Sequence, residues 1–299
     1  MRKLIYSRFG GTEVLEMVEA AMPEGEIVVN VKAVSVNPLD WKLWQGELKL
    51  MSGKKFPKEV GIDFSGIVIK GGAGYQEGDE VFGVASIFKG GAMAEYVAVK
   101  AADIALKPAG ISFEEAACLP VAGGAAWQIV EELGKVKAGM EVLVNGAGGG
   151  LGPFVIQLAK RRGALVTAVV GASGVEMVKG LGSDVVVDYR KEDVLQGRKR
   201  YDVVVDLAGK MGYAAGKKLL KKKGVFVNTS PGLKEMVGSL LSGGKYKLLF
   251  LKNSAKGLER LAGSGLKVVI GKRNEWTDYK VGYDEVKRGG IVGKAVFVL

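Results

Sequence analysis

Hydrophobic and polar positions change rhythm once along the chain. The first third carries short apolar, β-branched runs: Ile27–Val36, Phe64–Ile69, Glu80–Ala85 and Ala94–Val99, each bounded by Gly, Asp or Lys. Gly71, Gly72, Gly74 and the pair Gly78-Asp79 mark turns between them. This pattern predicts a small, mostly β domain, barrel-like or sandwich-like. Near Ser112 the rhythm turns over. Phe113–Cys118 and Ala122–Leu133 read as helices separated by Pro120, and a strict strand–helix alternation follows. Strands are expected at Glu141–Asn145, Leu165–Val170, Asp184–Asp188, Tyr201–Leu207, Gly224–Asn228 and Lys247–Leu251. Helices are expected at Pro153–Arg162, around Val175–Leu181, through Lys222, around Leu233–Leu241 and near Ala255–Leu261. Near-continuous Val/Ile/Leu runs between helices predict an α/β, doubly wound parallel Rossmann sheet covered on both faces. The tail holds Lys267–Ile270, a polar helix near Asp284–Arg288 and a strand at Ala295–Leu299 that needs partners. The expected division is 1–115 as a β-rich substrate domain completed by 266–299, and 116–265 as a dinucleotide-binding domain.

Asn145-Gly146-Ala147-Gly148-Gly149-Gly150-Leu151-Gly152 directly follows one buried strand and directly precedes a helix. In that context the glycines allow a tight turn, close approach of backbone N–H groups to a pyrophosphate, and close helix–strand packing. The helix N-terminus adds partial positive charge. An NAD-selective site places Asp or Glu at the end of the second strand. Here that end reads Val170-Gly171-Ala172-Ser173-Gly174, with no acid before Glu176. Its absence leaves room for a 2′-phosphate, for which Ser173, Tyr189 and Arg190 are candidate donors. NADP(H) is the expected cofactor.

Composition narrows the chemistry. The 299 residues contain no His and one Cys, which excludes an intramolecular disulfide, a His-containing metal site, a Ser-His-Asp or Cys-His nucleophile and an imidazole acid/base. The formal charge of +11 favours an anionic partner: a phosphorylated cofactor, nucleic acid or an anionic membrane surface. The densest basic run, Lys217, Lys218, Lys221, Lys222 and Lys223, reads as a solvated face. No aromatic-interleaved RNA motif accompanies it, so no specific nucleic acid is expected. A weak association with anionic membrane surfaces stays open. MRKLIYSRFGG turns polar too early for a secretory signal, and the uncharged stretch Ala116–Val130 is interrupted by Pro120 and two glycines. A soluble protein of the cytoplasm or an organelle stroma is expected, as a monomer or homodimer.

The combination resembles the zinc-independent medium-chain dehydrogenase/reductase family in its quinone oxidoreductase branch, over essentially the whole chain. Its landmarks are Val36-Asn37-Pro38-Leu39-Asp40-Trp41-Lys42, Gly61-Ile62-Asp63-Phe64-Ser65-Gly66, Gly78-Asp79-Glu80-Val81-Phe82-Gly83 and Leu119-Pro120-Val121-Ala122-Gly123. The glycine loop, Val187-Asp188-Tyr189-Arg190, Tyr201–Asp206, Thr229-Ser230-Pro231-Gly232 and the terminal Gly293-Lys294 complete them. Several look most like plant-type enone oxidoreductases. The resemblance implies a GroES-like first domain. Zinc alcohol dehydrogenases of the superfamily carry a catalytic Cys/His/Cys set and a four-Cys lobe. Here the first ligand position holds Asn37, the His position falls on Ile62, and the lobe is missing. Cys118 is expected to be a buried core thiol. A family Thr near the nicotinamide is Ala125 in this chain.

The resemblance further implies hydride transfer to a quinone or to the C=C bond of an α,β-unsaturated carbonyl, with the acceptor expected in a cleft between domains. The nicotinamide is expected near Leu207-Ala208-Gly209 and Thr229-Ser230, with Gly293-Lys294 also at the cofactor. Charge developing on a carbonyl oxygen needs a donor. Asn37, Lys42 or a ribose hydroxyl fits, and the proton can come from Lys, Tyr or water. Asp40 is a third candidate, although Asn37-Pro38 can equally shape a turn and Asp40 can cap the helix it begins. Trp41 and Trp44, three apart, read as packing residues. The alternative from another class is an NADPH-binding protein with little turnover, acting as a structural or an RNA- or membrane-surface-associated protein.

Overall fold

In a computed structural model of the chain, residues 1–229, 233–252 and 255–299 are described. They fall into two compact units. One is Met1–Val121 with Asn253–Gly265 and Ile270–Leu299; the other is Ala122–Lys252 with Leu266–Val269.

The first unit is β-rich. Its strands are β1 (Arg2–Tyr6), β2 (Leu15–Glu19), β3 (Ile27–Ser35), β4 (Lys58–Glu59), β5 (Asp63–Lys70), β6 (Glu80–Val84), β7 (Tyr96–Val99) and β8 (Ile104–Leu106). A three-stranded sheet runs β2-β1-β4. A seven-stranded sheet runs Ile270–Glu275, Lys294–Val298, β3, β5, β6, β8, with β7 also on β3. The apolar run at β3 is long because it is buried on both faces, among Phe64, Tyr283 and Phe297. The C-terminal strand pairs antiparallel with β3, Val296 opposite Ser35, and Val36 N–H donates to Ala295 O (2.9 Å). That register delivers Lys294 to the point where the chain leaves β3 for α1 (Pro38–Trp44).

The second unit holds a six-stranded parallel sheet of β9 (Glu141–Asn145), β10 (Leu165–Val170), β11 (Val185–Asp188), β12 (Tyr201–Asp206), β13 (Leu220–Asn228) and β14 (Tyr246–Leu248). The order β11-β10-β9-β12-β13-β14 reverses direction between β9 and β12. Ligands of open α/β sheets bind outside the strands' carboxyl ends at such a reversal. The helix Gly152–Arg161 buries Phe154, Val155, Ile156, Leu158 and Ala159. Among the described residues no helix is long and apolar enough to cross a membrane.

Several local expectations are corrected. The helix through Lys222 stops at Gly216, a 3-10 turn covers Lys217–Leu219, and Lys221–Lys223 begin β13. Pairing of Leu220 and Val225–Asn228 with β12, on either side of these lysines, holds the segment extended, and all five lysines of that run are solvent-exposed as expected. The helix Ala255–Ala262 packs against β8 in the first unit rather than joining the second. Residues 266–269 go the other way, with Gln157 bonded to both backbone groups of Lys267 (2.8 and 2.9 Å). The first boundary falls at Val121. The polar tail helix is longer, Tyr279–Arg288, because Tyr283 anchors it in the core. β1, β2 and Ile270–Glu275 carried too little apolar alternation to be read as strands.

Candidate functional site

In the second unit the candidate residues gather on the loops at the strands' carboxyl ends. After β9 the chain turns at Gly146 with φ +83°, and a Cβ there would stand 2.9 Å from Ala208 N. Gly146 and Ala147 N–H groups both donate to Val169 O (3.2 and 3.0 Å), tying the turn to β10. Gly148 abuts Val170, and Gly152 packs against the Ala147 carbonyl with no space for a side chain. Gly149 is different: a Cβ there would meet only Gly146 O, at 3.6 Å. Gly149, Gly150 and Leu151 therefore lead into a helix whose first N–H groups lack intrahelical partners. Such a glycine-lined, N–H-bearing cradle fits an anionic pyrophosphate.

Asp206, fully buried at the end of β12, shapes the neighbouring turn. It accepts from Asn145 Nδ2 (2.9 Å), Gly209 N (3.1 Å) and Met211 N (2.9 Å). Leu207 N–H donates to Asn145 O (2.9 Å), and Thr229 Oγ1 donates to Asp206 O (3.4 Å). Leu207-Ala208-Gly209 and Thr229 are thus held beside the glycine loop. Ser230 lies outside the described residues. After β10, Gly171, Ala172 and Ser173 stand beside Tyr189: a Cβ on Gly171 would sit 3.2 Å from its hydroxyl. Arg190 lays its guanidinium over the Tyr189 ring at 5.9 Å. Ser173, Tyr189 and Arg190 are all exposed.

The first unit holds its candidates in another way. Asn37 N-caps α1, and its backbone N–H donates to the Asp40 carboxyl (2.8 Å), so Asp40, at the third helical position, closes a capping box on it. The Asn37 side chain is buried and committed. Its Nδ2 donates to Asp63 Oδ2 (3.0 Å), and its Oδ1 accepts from Lys294 Nζ (2.7 Å). Lys294 Nζ also donates to Val36 O (2.8 Å). Asp63 further accepts from Ser35 Oγ (3.2 Å) and Val121 N (3.2 Å). Burial pushes the Asp40 carboxyl up to about 8, against the pull of the Asn37 N–H; nearby Asp63 raises it further and Lys294 lowers it. Burial likewise raises Asp63 to about 6, countered first by Lys294 and then by Asn37.

The sequence-predicted roles divide accordingly. Asn37 and Asp40 sit inside the unit as fixed, hydrogen-bonded groups rather than as donors presented to an acceptor. Lys294 and Gly293, expected at the cofactor, are buried in this same unit, with the ammonium turned inward. Lys42, on the last turn of α1, is half-buried, and among the described residues its ammonium has no hydrogen-bond or ion-pair partner. Trp44 is buried edge-on to Tyr283 (4.8 Å), and Trp41 packs against the same core. Asp63, Ser35 and Asp206 carry much of the geometry yet received no role from the sequence. An acid closing an apolar run, as in Tyr201–Asp206, was the available signal.

The described residues offer zinc no ligand set. There is no imidazole, and among the described residues no group of three or more Cys, Asp and Glu side chains could hold a metal ion. Cys118 is buried, and burial raises its thiol to about 12, so it stays protonated.

Residues 23–109 match the family model described as alcohol dehydrogenase GroES-like domain, and residues 181–297 match zinc-binding dehydrogenase. The chain is 34% identical over 248 residues to a quinone-oxidoreductase homolog, chloroplastic, of Spinacia oleracea, covering 78% of this chain and 75% of that protein. It is 35% identical over 259 residues to an NADPH-dependent alkenal/one oxidoreductase, chloroplastic, of Arabidopsis thaliana, covering 80% and 66%. The solved quinone oxidoreductase of Coxiella burnetii superposes with a TM-score of 0.89 at 28% identity, covering 100% of this chain and 99% of that one.

Proposed function

The chain belongs to the quinone oxidoreductase branch of the medium-chain dehydrogenases/reductases, and from that premise we propose that it is an NADPH-dependent oxidoreductase acting without zinc. Its acceptor is a quinone or the C=C bond of an α,β-unsaturated carbonyl. The observation that carries the reading is the glycine loop after β9, where Gly146, Gly148 and Gly152 are closed off by Ala208, Val170 and the Ala147 carbonyl, while a Cβ on Gly149 would meet only Gly146 O, at 3.6 Å. NADPH, when bound, supplies the hydride.

The chain's own residues then have separate tasks. The loop from Gly146 to Gly152 receives the pyrophosphate through the backbone N–H groups that the turn does not itself use, those of Gly146, Ala147 and Gly149 being bonded to Val169 O and Gly146 O. Asp206 holds the Leu207–Gly209 turn in the conformation that receives the nicotinamide end. Ser173, Tyr189 and Arg190 take the 2′-phosphate, with no carboxylate at the end of β10 to repel it. Lys42 donates to the acceptor oxygen as negative charge develops there, and Asn37 with Asp40 fixes the helix that aims it. Water supplies the final proton. The protein acts on a small molecule, and any weak hold on an anionic membrane surface comes from its exposed lysines.

The test is NADPH oxidation screened against short enals, long enones and quinones, alongside fluorescence titration of NADPH. Lys42→Ala should slow the best acceptor about tenfold, the lower end for a donor to an oxyanion, with NADPH affinity unchanged. NADPH binding with no oxidation by any acceptor would support a nucleotide-binding protein without turnover. Wild-type turnover in Lys42→Ala would remove that residue from the site.

A further inference from the structure

We propose that Lys294 is the built-in cation of the first unit, a side-chain ammonium that orients Asn37 and, through it, balances Asp63 where zinc-dependent relatives set their first metal ligand. The inference rests on the metal-free reading above and gives it a positive counterpart: the metal's charge is replaced by a residue.

The geometry is specific. Lys294, Asp63, Asp40 and Asn37 are all nearly inaccessible to solvent, at 4%, 0%, 2% and 3% exposure. A buried ammonium or carboxylate is tolerated only when paired and hydrogen-bonded. Lys294 Nζ has two acceptors, Val36 O at 2.8 Å and Asn37 Oδ1 at 2.7 Å. An ammonium can only donate and an ionised carboxylate can only accept. The Asn37 carboxamide, set between them, therefore has one orientation: Oδ1 toward Lys294, Nδ2 toward Asp63 Oδ2 at 3.0 Å. The chain Lys294–Asn37–Asp63 runs cation, dipole, anion, with each dipole aligned to favour the next.

The same ammonium reaches further. It opposes the burial of both carboxylates, being the foremost charge lowering Asp63 and also lowering Asp40, and it lowers the Cys118 thiol. Arg273 and Glu115 act on Cys118 from neighbouring segments, and Asp40 acts on Tyr283 from α1. Among these groups Lys294 alone donates directly into the cluster. Its bond to Val36 O, 258 residues away in sequence, clamps the junction between β3 and α1. Helix α1 carries Lys42, so Lys294 is a positioning residue for that side chain.

A double-mutant cycle in the full-length protein tests this. Lys294→Met leaves the buried Asp63 carboxylate without the ammonium that opposes its burial, and its thermal midpoint should fall by about 5–10 °C. Asp63→Asn keeps an acceptor for Asn37, Ser35 and Val121 but removes one charge, and should cost less. The double variant Lys294→Met/Asp63→Asn should recover at least half of the loss seen in Lys294→Met. If Lys294→Met does not fold, soluble folded double variant beside it carries the same meaning. Additive losses, or a double variant worse than Lys294→Met, overturn the proposal. So does stoichiometric zinc retained by the wild-type protein after incubation and desalting, read by elemental analysis. For positioning, kcat with the best acceptor should fall about tenfold in Lys294→Met and partly return in the double variant, while KM for NADPH stays constant. Unchanged kcat in a folded Lys294→Met would confine Lys294 to stability and overturn the positioning role. The cycle needs neither cofactor nor acceptor, so failure of the hydride-transfer reading and failure of this one are separable.

Discussion

The strand ends of the second unit and the Asn37–Lys294 cluster of the first handle polar groups in opposite ways. At β9 and β10 the chain strips side chains away, leaving backbone N–H groups and exposed Ser173, Tyr189 and Arg190. At α1 it does the reverse, sealing two carboxyl groups, an amide and an ammonium out of water and bonding both acids and the ammonium to Asn37. The first arrangement costs little to hold open, because backbone and surface groups stay solvated until a ligand arrives. The second is rigid, because any group released from it would be left buried and unpaired. A binding surface and a positioning device thus differ in where their polar partners come from.

That contrast can be broken most sharply at Gly146. Gly146→Val forces a β-branched residue to φ +83° and drives Cβ into Ala208 N. NADPH affinity should drop by about a hundredfold or more, and the thermal midpoint should fall with it. Gly149→Val is the sharpening control, since the protein leaves room for its Cβ. It should keep the wild-type midpoint within about 2 °C yet weaken NADPH binding about tenfold or more.

The sealed cluster predicts a pH signature. The folded Asp40 carboxyl is held near 8 by burial, whereas an unfolded aspartate titrates near 3.9. The folded state therefore binds the extra proton between those values. Its stabilisation is complete below about pH 4 and is lost as pH rises through 8, with a slope of up to about 1.4 kcal/mol per pH unit. Asp63, raised to about 6, adds to the same trend at the acid end of the window. Asp40→Asn should flatten the stability profile between pH 6 and 8 in urea unfolding. An unchanged slope would mean Asp40 is already ionised in the folded protein.

Smaller effects separate the exposed groups. Arg190→Ala should weaken NADPH about tenfold and NADH hardly at all, read by paired fluorescence titrations. Equal losses for both cofactors would move the 2′-phosphate elsewhere. Lys222→Gln with Lys223→Gln, on the solvated start of β13, should shift the midpoint by no more than about 1–2 °C and leave NADPH affinity alone.

What the sequence determined by itself is what local chemistry can write. The switch from short strands to strand–helix alternation announced the parallel sheet, because buried strands need continuous apolar runs. Asn145–Gly152 announced the cradle, because glycine, strand end and helix start are neighbours in the chain. The missing histidines excluded imidazole chemistry outright. Other features had no local signal. Lys221–Lys223 became strand only because Leu220 and Val225–Asn228 on either side of them pair with β12, and Ile270–Glu275 only through pairing with Lys294–Val298. The bond from Lys294 to Asn37 spans 257 positions. Nothing near either residue says that one will neutralise the carboxylate bound by the other. Only the register of the last strand on β3 brings them within 2.7 Å, and once both are out of water, their pairing is the arrangement that avoids a bare buried charge.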